Sequence, residues 1–195
     1  MYYGVLQVRS QVKLVDHRIL RASKKSQIFS TNQKIIGSMA SIPSDSKCLV
    51  VGATNPTSIG FITALALLQA GAAHVTVVGR SQPKLDHAIT ALLSKKKGKI
   101  SGVLGDLTQP ESMEAVVQEA SNNMGGLDVL VCCGGNGYSE YLGLDPADLQ
   151  SYRTMQDVAV LSPMFLIEAA IPFLSKSVNP EGGTVVLVGS VSCKF

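Results

Sequence analysis

Residues 47–72 read KCLVVGATNPTSIGFITALALLQAGA. Cys48 to Val51 form an unbroken, β-branched-rich apolar run that stops at Gly52, the pattern of a strand buried on both faces. From Ser58 the apolar residues continue through "SIGFITALALLQAGA", too long for a strand, and halt at Gly71, a residue suited to end a helix. A buried strand that turns on glycine straight into a helix is the opening half of a βαβ unit.

Outward from this stretch the alternation repeats. HVTVVGR (74–80) reads as a second strand and QPKLDHAITALLSKKKG (82–98) as a helix with a solvated, lysine-rich end. ISGVLGDLT (100–108) is a third strand, and PESMEAVVQEASNNMG (110–125) a third helix with proline in its first turn. LDVLVCCGGNG (127–137) is a fourth strand running into glycines, and residues 146–177 form a long helical segment that Pro163 and Pro172 threaten to kink. GTVVLVGS (183–190) is a fifth strand. Apolar strands alternating with amphipathic helices predict a doubly wound α/β domain, a parallel Rossmann-type sheet covered on both faces.

The 195 residues, 46% of them hydrophobic, suffice for one such domain. Charge divides the chain unevenly. Residues 1–38 carry seven Lys/Arg against one acid, and residues 39–195 carry ten against thirteen. The domain at 39–195 therefore lacks the basic stripe that nucleic-acid binding requires, and no nucleic-acid partner is expected. No uninterrupted apolar run approaches the ~20 residues that span a bilayer, so no membrane partner is expected either. In residues 1–38, Val5, Val8, Val12, Val15 and Ile19 follow each other at spacings of three and four, which predicts an apolar helical face beside Arg9, Lys13 and Arg18. Two readings of this basic amphipathic extension stand open: a mitochondrial or plastid transit peptide, or a misassigned start upstream of a domain that begins at Met39. The second makes the protein cytoplasmic. Cys48, Cys132, Cys133 and Cys193 show no CxxC spacing and no histidine nearby, so no metal site is expected and the cysteines read as small, buried or half-buried thiols.

The first strand–helix turn, GATNPTSIG (52–60), has the composition of a nucleotide-binding turn. Gly52 would let the chain reverse, Ser58 would let backbone N–H groups approach a pyrophosphate, and Gly60 would let helix pack on strand. After the second strand comes Arg80 where an acid would hold the ribose hydroxyls of NAD. Its planar charged fork suits the 2′-phosphate of NADP instead.

In these motifs and their order the chain resembles the short-chain dehydrogenase/reductases over residues 47–192. GATNPTSIG stands where that family has its TGxxxGxG loop, GDLT where a strand ends in Asp106 beside the adenine, LDVLVCCGG where it writes DxLVNNAG, and GGTVVLVGSVS where it carries a catalytic serine. The resemblance implies that Gly52, Thr54, Asn55, Ser58, Ile59, Gly60, Arg80, Asp106, Leu107, Cys133 and Gly134 line NADP. It implies that Ser190 orients the carbonyl of a small-molecule substrate, and that the helix at 147–174 serves a homo-oligomer. The activity implied is NADP(H)-dependent hydride transfer to or from a carbonyl, an alcohol or an activated alkene.

Departures accompany the matches. Two extra residues separate Gly52 from Ser58-Ile59-Gly60, a spacing similar to the divergent, enoyl-reductase-type branch. Cys132 and Cys133 replace two asparagines, and Ala159 falls where the family's active-site asparagine is expected. The family's Tyr-x-x-x-Lys, in which a nearby ammonium makes tyrosine a usable base, would follow Ser190 and is not found. Tyr138, Tyr141 and Tyr152 have no lysine four residues on. The expectation is a chain incomplete at the C-terminal edge of its sheet and inactive as it stands, with a non-enzymatic NADP-binding or interaction protein as the alternative. A protein that keeps the fold and has lost nucleotide binding is a third reading. On this expectation TVVLV (184–188) would be an exposed apolar edge needing a partner chain or the N-terminal extension to cover it.

Overall fold

A computed structural model describes residues 3–7, 42–96, 98–135, 149–180 and 182–189. Strands β1 (Tyr3–Gln7), β2 (Lys47–Val51), β3 (His74–Gly79), β4 (Lys99–Leu104), β5 (Val129–Cys132) and β6 (Thr184–Val188) make one sheet in the order β1-β6-β5-β2-β3-β4. Strands β2 to β6 are mutually parallel, and β1 joins β6 antiparallel. The connecting helices are α1 (Ile59–Gln69), α2 (Gln82–Lys95), α3 (Met113–Met124), α4 (Leu149–Gln156) and α5 (Ser162–Leu174).

The period-two alternation of β2 divides the core. Leu49 and Val51 join α3 and α5 on one face, through Val117, Leu166, Ala170 and Leu174. Cys48 and Val50 join α1 and α2 on the other, through Phe61, Leu68, Leu85 and Leu92. Each such fully buried aliphatic side chain contributes roughly 1.5–3 kcal/mol of transfer free energy. The doubly wound sheet is thus the one its alternating runs predict.

Helix ends follow local chemistry. Ala72 N–H reaches back to Leu67 O (3.1 Å) around Gly71, whose φ of +101° only glycine adopts readily. Pro163 does not kink the long segment. A five-residue π-turn, Asp157–Leu161, precedes it, with Ser162 N–H on Asp157 O, and Pro163 lies in the first turn of α5. Pro172 stays inside α5. By length and composition the run Leu149–Leu174 could cross a bilayer; here the stripe Ser162, Leu166, Ala170 and Leu174 is buried.

One expectation is corrected at the N-terminus. Val5, placed by its spacing at the start of a helical face, lies in β1 (Tyr3–Gln7). The pairing partner, β6, lies about 180 residues on in the chain, which local periodicity does not anticipate. Residues 8–41, and with them the remainder of the expected helix and Met39, lie outside the described residues.

Two buried polar groups tie the sheet at the N-terminal ends of its strands. Asp128, 3% exposed, accepts from Lys47 N (2.8 Å), Ser177 Oγ (2.6 Å) and Val178 N (2.8 Å), joining β2, β5 and the segment after α5. His74 Nε2 meets Ser101 Oγ at 2.8 Å, which meets Thr76 Oγ1 at 2.8 Å, while Nδ1 is buried without a hydrogen-bond partner. Burial, and then the charge of Lys99, hold the His74 pKa below its ordinary 6.5. The folded imidazole therefore resists a proton that the unfolded chain accepts. Stability should be level above about pH 6.5, where neither state is protonated, and should decline as pH falls below it. Urea unfolding between about pH 5 and 8 should show this decline, and His74→Gln should flatten it.

Candidate cofactor site

The strand order reverses between β2 and β5, because the chain winds from β2 toward β4 on one side and from β5 toward β6 on the other. At such a switch point the connections leave in opposite directions and open a crevice beyond the C-terminal ends of the strands. A cavity of about 380 Å³ lies there.

Backbone contact forms its floor. Cys133 N–H donates to Val51 O at 3.0 Å, clamping the ends of β5 and β2. Gly52 has a φ of +84°, and a Cβ on it would stand 2.8 Å from Gly134 N and 2.9 Å from the Cys133 carbonyl. A Cβ on Gly60 would stand 2.5 Å from Gly52 O. No side chain fits at either place, so the turn and the start of α1 press directly on the neighbouring strand end.

The loop between these glycines is held by its own polar groups. Asn55 Oδ1 accepts from Thr57 N (3.1 Å) and Thr57 Oγ1 (2.9 Å), and Ser58 N–H donates to Asn55 O at 2.8 Å. Ser58 then caps α1: its Oγ accepts from Phe61 N at 3.2 Å and donates to Gly52 O at 3.3 Å. Helix geometry leaves the amides of Ile59 and Gly60 without intrahelical acceptors, and with the helix dipole they make a positive end suited to an anion. No acid sits in the first turn of α1 to compete for it.

On the far wall, Gly79 and the exposed Arg80 end β3, and Gly105 N–H donates to Gly79 O at 3.1 Å. Asp106 Oδ1 accepts from Thr108 N at 3.0 Å, shaping the next loop. Leu107 is held twice: Ser162 Oγ, fully buried, donates to its carbonyl at 2.7 Å, and its side chain packs where a Cβ on Gly134 would be.

Nine of the eleven residues named for the cofactor line this one cavity: Gly52, Thr54, Asn55, Ser58, Arg80, Asp106, Leu107, Cys133 and Gly134. Ile59 and Gly60 do not. Gly60 is buried against Gly52, and both contribute backbone to the helix start instead of cavity wall. Val158 also lines the cavity, a contribution not anticipated, because the π-turn carries it there from a segment that reads as continuous helix. Ser190, Tyr138 and Tyr141 lie outside the described residues.

Among the described residues, Cys48 and Cys132 are buried and Cys133 is half-buried. Burial, reinforced by Asp128 at Cys48 and by Cys133 at Cys132, pushes both thiols up to about 12. Burial raises Cys133 as well, against a hydrogen bond with Thr63 that lowers it. Neutral thiols at physiological pH are poor nucleophiles, so Cys133 meets the cavity as a wall.

The short chain dehydrogenase family model matches residues 46–195. The chain belongs to this family. It is 30% identical over 144 residues to the human mitochondrial dehydrogenase/reductase SDR family member 2, covering 74% of this chain and 48% of that protein. It is 31% identical over 143 residues to an uncharacterised oxidoreductase of Methylorubrum extorquens, covering 73% and 54%. Among solved structures, a short-chain type dehydrogenase/reductase from Mycobacterium ulcerans superposes with a TM-score of 0.60 at 28% identity, over 68% of this chain and 47% of that one. The RhlG/NADP active-site complex of Pseudomonas aeruginosa does so with a TM-score of 0.59 at 25% identity, over 69% and 50%. The chain spans about half the length of the curated relatives it matches.

Substitution at the floor tests the site's construction. Gly60→Ala should force α1 away from Gly52, costing on the order of 1–3 kcal/mol of stability by overpacking and displacing the α1 amides. A shifted urea midpoint, together with lost nucleotide affinity in a titration, is the expected result.

Proposed function

We infer that the described domain binds NADP(H), and that the whole protein is an oxidoreductase acting on a small-molecule substrate. The observation that carries this reading is the meeting, in one cavity, of Ser58, the N-cap of α1, with Arg80. The two positive features suit the two charged parts of NADP: the α1 amides its pyrophosphate, and the guanidinium its 2′-phosphate. The glycine floor is a cradle that a Cβ would fill, which leaves room for a nucleotide to approach backbone. The NADP complex of the Pseudomonas relative supports the same cofactor.

In this reading Thr54, Asn55 and Ser58 fix the loop over the pyrophosphate, Asp106 and Leu107 bound the adenine, and Cys133 and Gly134 continue toward the nicotinamide. When bound, NADP(H) supplies or accepts the hydride. Ser190 would orient a carbonyl or alcohol oxygen for that transfer. No tyrosine or lysine lines the cavity among the described residues, and Ala159 offers no side-chain amide for a proton relay. These two observations favour a second reading for the described residues, in which NADP is bound and proton transfer lies elsewhere in the whole protein.

Loss of the fork at Arg80 should be selective. Removing a charge-assisted hydrogen bond costs about 1.5–3 kcal/mol, so Arg80→Ala should weaken NADPH binding roughly tenfold to a hundredfold. NADH affinity should stay within about threefold, because NADH lacks the 2′-phosphate. Fluorescence titration of both nucleotides checks this. Equal losses for both would place Arg80 outside the phosphate site.

The exposed side of the long helical run presents Val160, Leu161, Met164, Phe165 and Ile171, all between 39% and 60% exposed. A contiguous apolar face of this kind suits a second copy of the chain, which extends the homo-oligomer reading. Sedimentation of Met164→Lys should then show a shift from dimer toward monomer at equal concentration, and an unchanged distribution would remove this face from the assembly.

A further inference from the structure

A second cavity, of about 390 Å³, lies at the opposite end of the sheet from the cofactor cavity. Lys47 lines it at the first residue of β2, whereas Val51, the last residue of that strand, lines the cofactor cavity. The end of α3, the approach to β5 and the segment after α5 supply the other walls. Its volume falls in the range of roughly 300–1,000 Å³ that small-molecule sites occupy.

The hydrogen-bond acceptors around this cavity are spent. Asp128 already accepts from Lys47 N, Ser177 Oγ and Val178 N. At the end of α3 the carbonyls of Ser121 and Asn122 take the amides of Gly126 (2.9 Å) and Gly125 (3.2 Å), and the Gly125 carbonyl takes Lys47 Nζ at 3.1 Å. At the end of α5 the Phe173 and Leu174 carbonyls take Lys176 N (2.9 Å) and Ser177 N (3.2 Å). The two helix C-termini, which would otherwise attract a cation, thus have their positive partners.

Donors remain. An ammonium carries three, so Lys47 Nζ keeps two beyond its bond to Gly125. The Lys176 ammonium has no hydrogen bond or ion pair among the described residues. Asn122 accepts from Gln118 Nε2 through its Oδ1 at 3.1 Å, which leaves its Nδ2 to donate. Ser121, 1% exposed, lines the cavity with a buried hydroxyl that has no partner, a condition rare in folded proteins and one that a ligand acceptor would relieve. Two ammoniums against one carboxylate leave one positive charge uncompensated. Half-buried Phe173 and exposed Val178 add an apolar wall.

We propose that this cavity is a second small-molecule site, for a monocarboxylate carried on a short apolar body. The carboxylate supplies the acceptors that Lys47, Lys176 and Asn122 lack, and its single charge balances the site. The apolar body lies against Phe173 and Val178. The site is separate from the cofactor cavity and does not depend on the nucleotide it holds.

Titration of the full chain with hexanoate at neutral pH, followed through its backbone amide NMR signals, tests this. Hexanoate should move Ser121, Gly125, Gly126 and Val178 together and saturably, and leave Gly52 and Gly60 in place. Lys176→Met, at an exposed residue, removes a charge-assisted hydrogen bond and should weaken hexanoate at least about tenfold. Hexanol keeps the apolar body without the charge, and inorganic phosphate keeps charge without the body; each should bind at least about tenfold more weakly than hexanoate. Any one of four results overturns the proposal: no saturable movement at these amides, hexanol binding as tightly, phosphate binding as tightly, or full affinity in Lys176→Met. Should Lys176→Met perturb the fold, ionic strength decides in the unaltered chain: hexanoate affinity that falls with added salt supports pairing with the ammoniums, and affinity indifferent to salt refutes it. None of these results depends on nucleotide binding, so this site and the NADP assignment fail separately.

Discussion

The structure depends on how closely two backbones meet at the switch point. Val51 and Gly52 end β2 against Cys133 and Gly134, which end β5, with a 3.0 Å hydrogen bond between them and no space for a Cβ. Gly60 then brings α1 onto the same spot. If Gly52 or Gly60 carried a side chain, the strand ends would part or the helix would lift, and a Cβ on Gly134 would meet the Leu107 side chain. Because they do not, the start of α1, the end of β3 and the loop after β4 converge on one cavity. The packing constraint and the binding geometry are the same arrangement.

The two ends of the sheet do different work. At the N-terminal ends of the strands, Asp128 is saturated by three donors from two elements, and it holds β2, β5 and the approach to β6 in register. A carboxylate so satisfied has little capacity left for a ligand. At the C-terminal ends the polar groups are aimed outward: the amides at the start of α1 and the guanidinium of Arg80 have their partners to find beyond the fold. This polarity is what an open parallel sheet provides, since every strand there ends on the same side.

Much of this is legible in the residues. CLVV, HVTVVG and TVVLV read as buried strands because nothing polar interrupts them, and Gly71 marks a helix end because its φ is positive. Arg80 and Asp106 are found in the cavity because the residues that follow the C-terminal ends of β3 and β4 must reach the crevice. What the residues did not disclose has physical causes. Ile59 and Gly60 act through backbone, so residue type alone did not separate them from the wall. Val158 reaches the cavity through a π-turn, which no spacing of side chains announces. Val5 opens a helical spacing that runs on to Ile19, yet residues 3–7 pair with a strand at the far end of the chain, and tertiary pairing overrides the local pattern there. Ser190 lies outside the described residues, and its role rests on the family motif alone.

The most direct measurement is a crystal structure of the chain with NADP. The account predicts pyrophosphate density against the amides of Ile59 and Gly60, with the 2′-phosphate within hydrogen-bond distance of the Arg80 guanidinium. A nucleotide seated elsewhere, or an ordered switch-point cavity that stays free of nucleotide at saturating NADP, would contradict it.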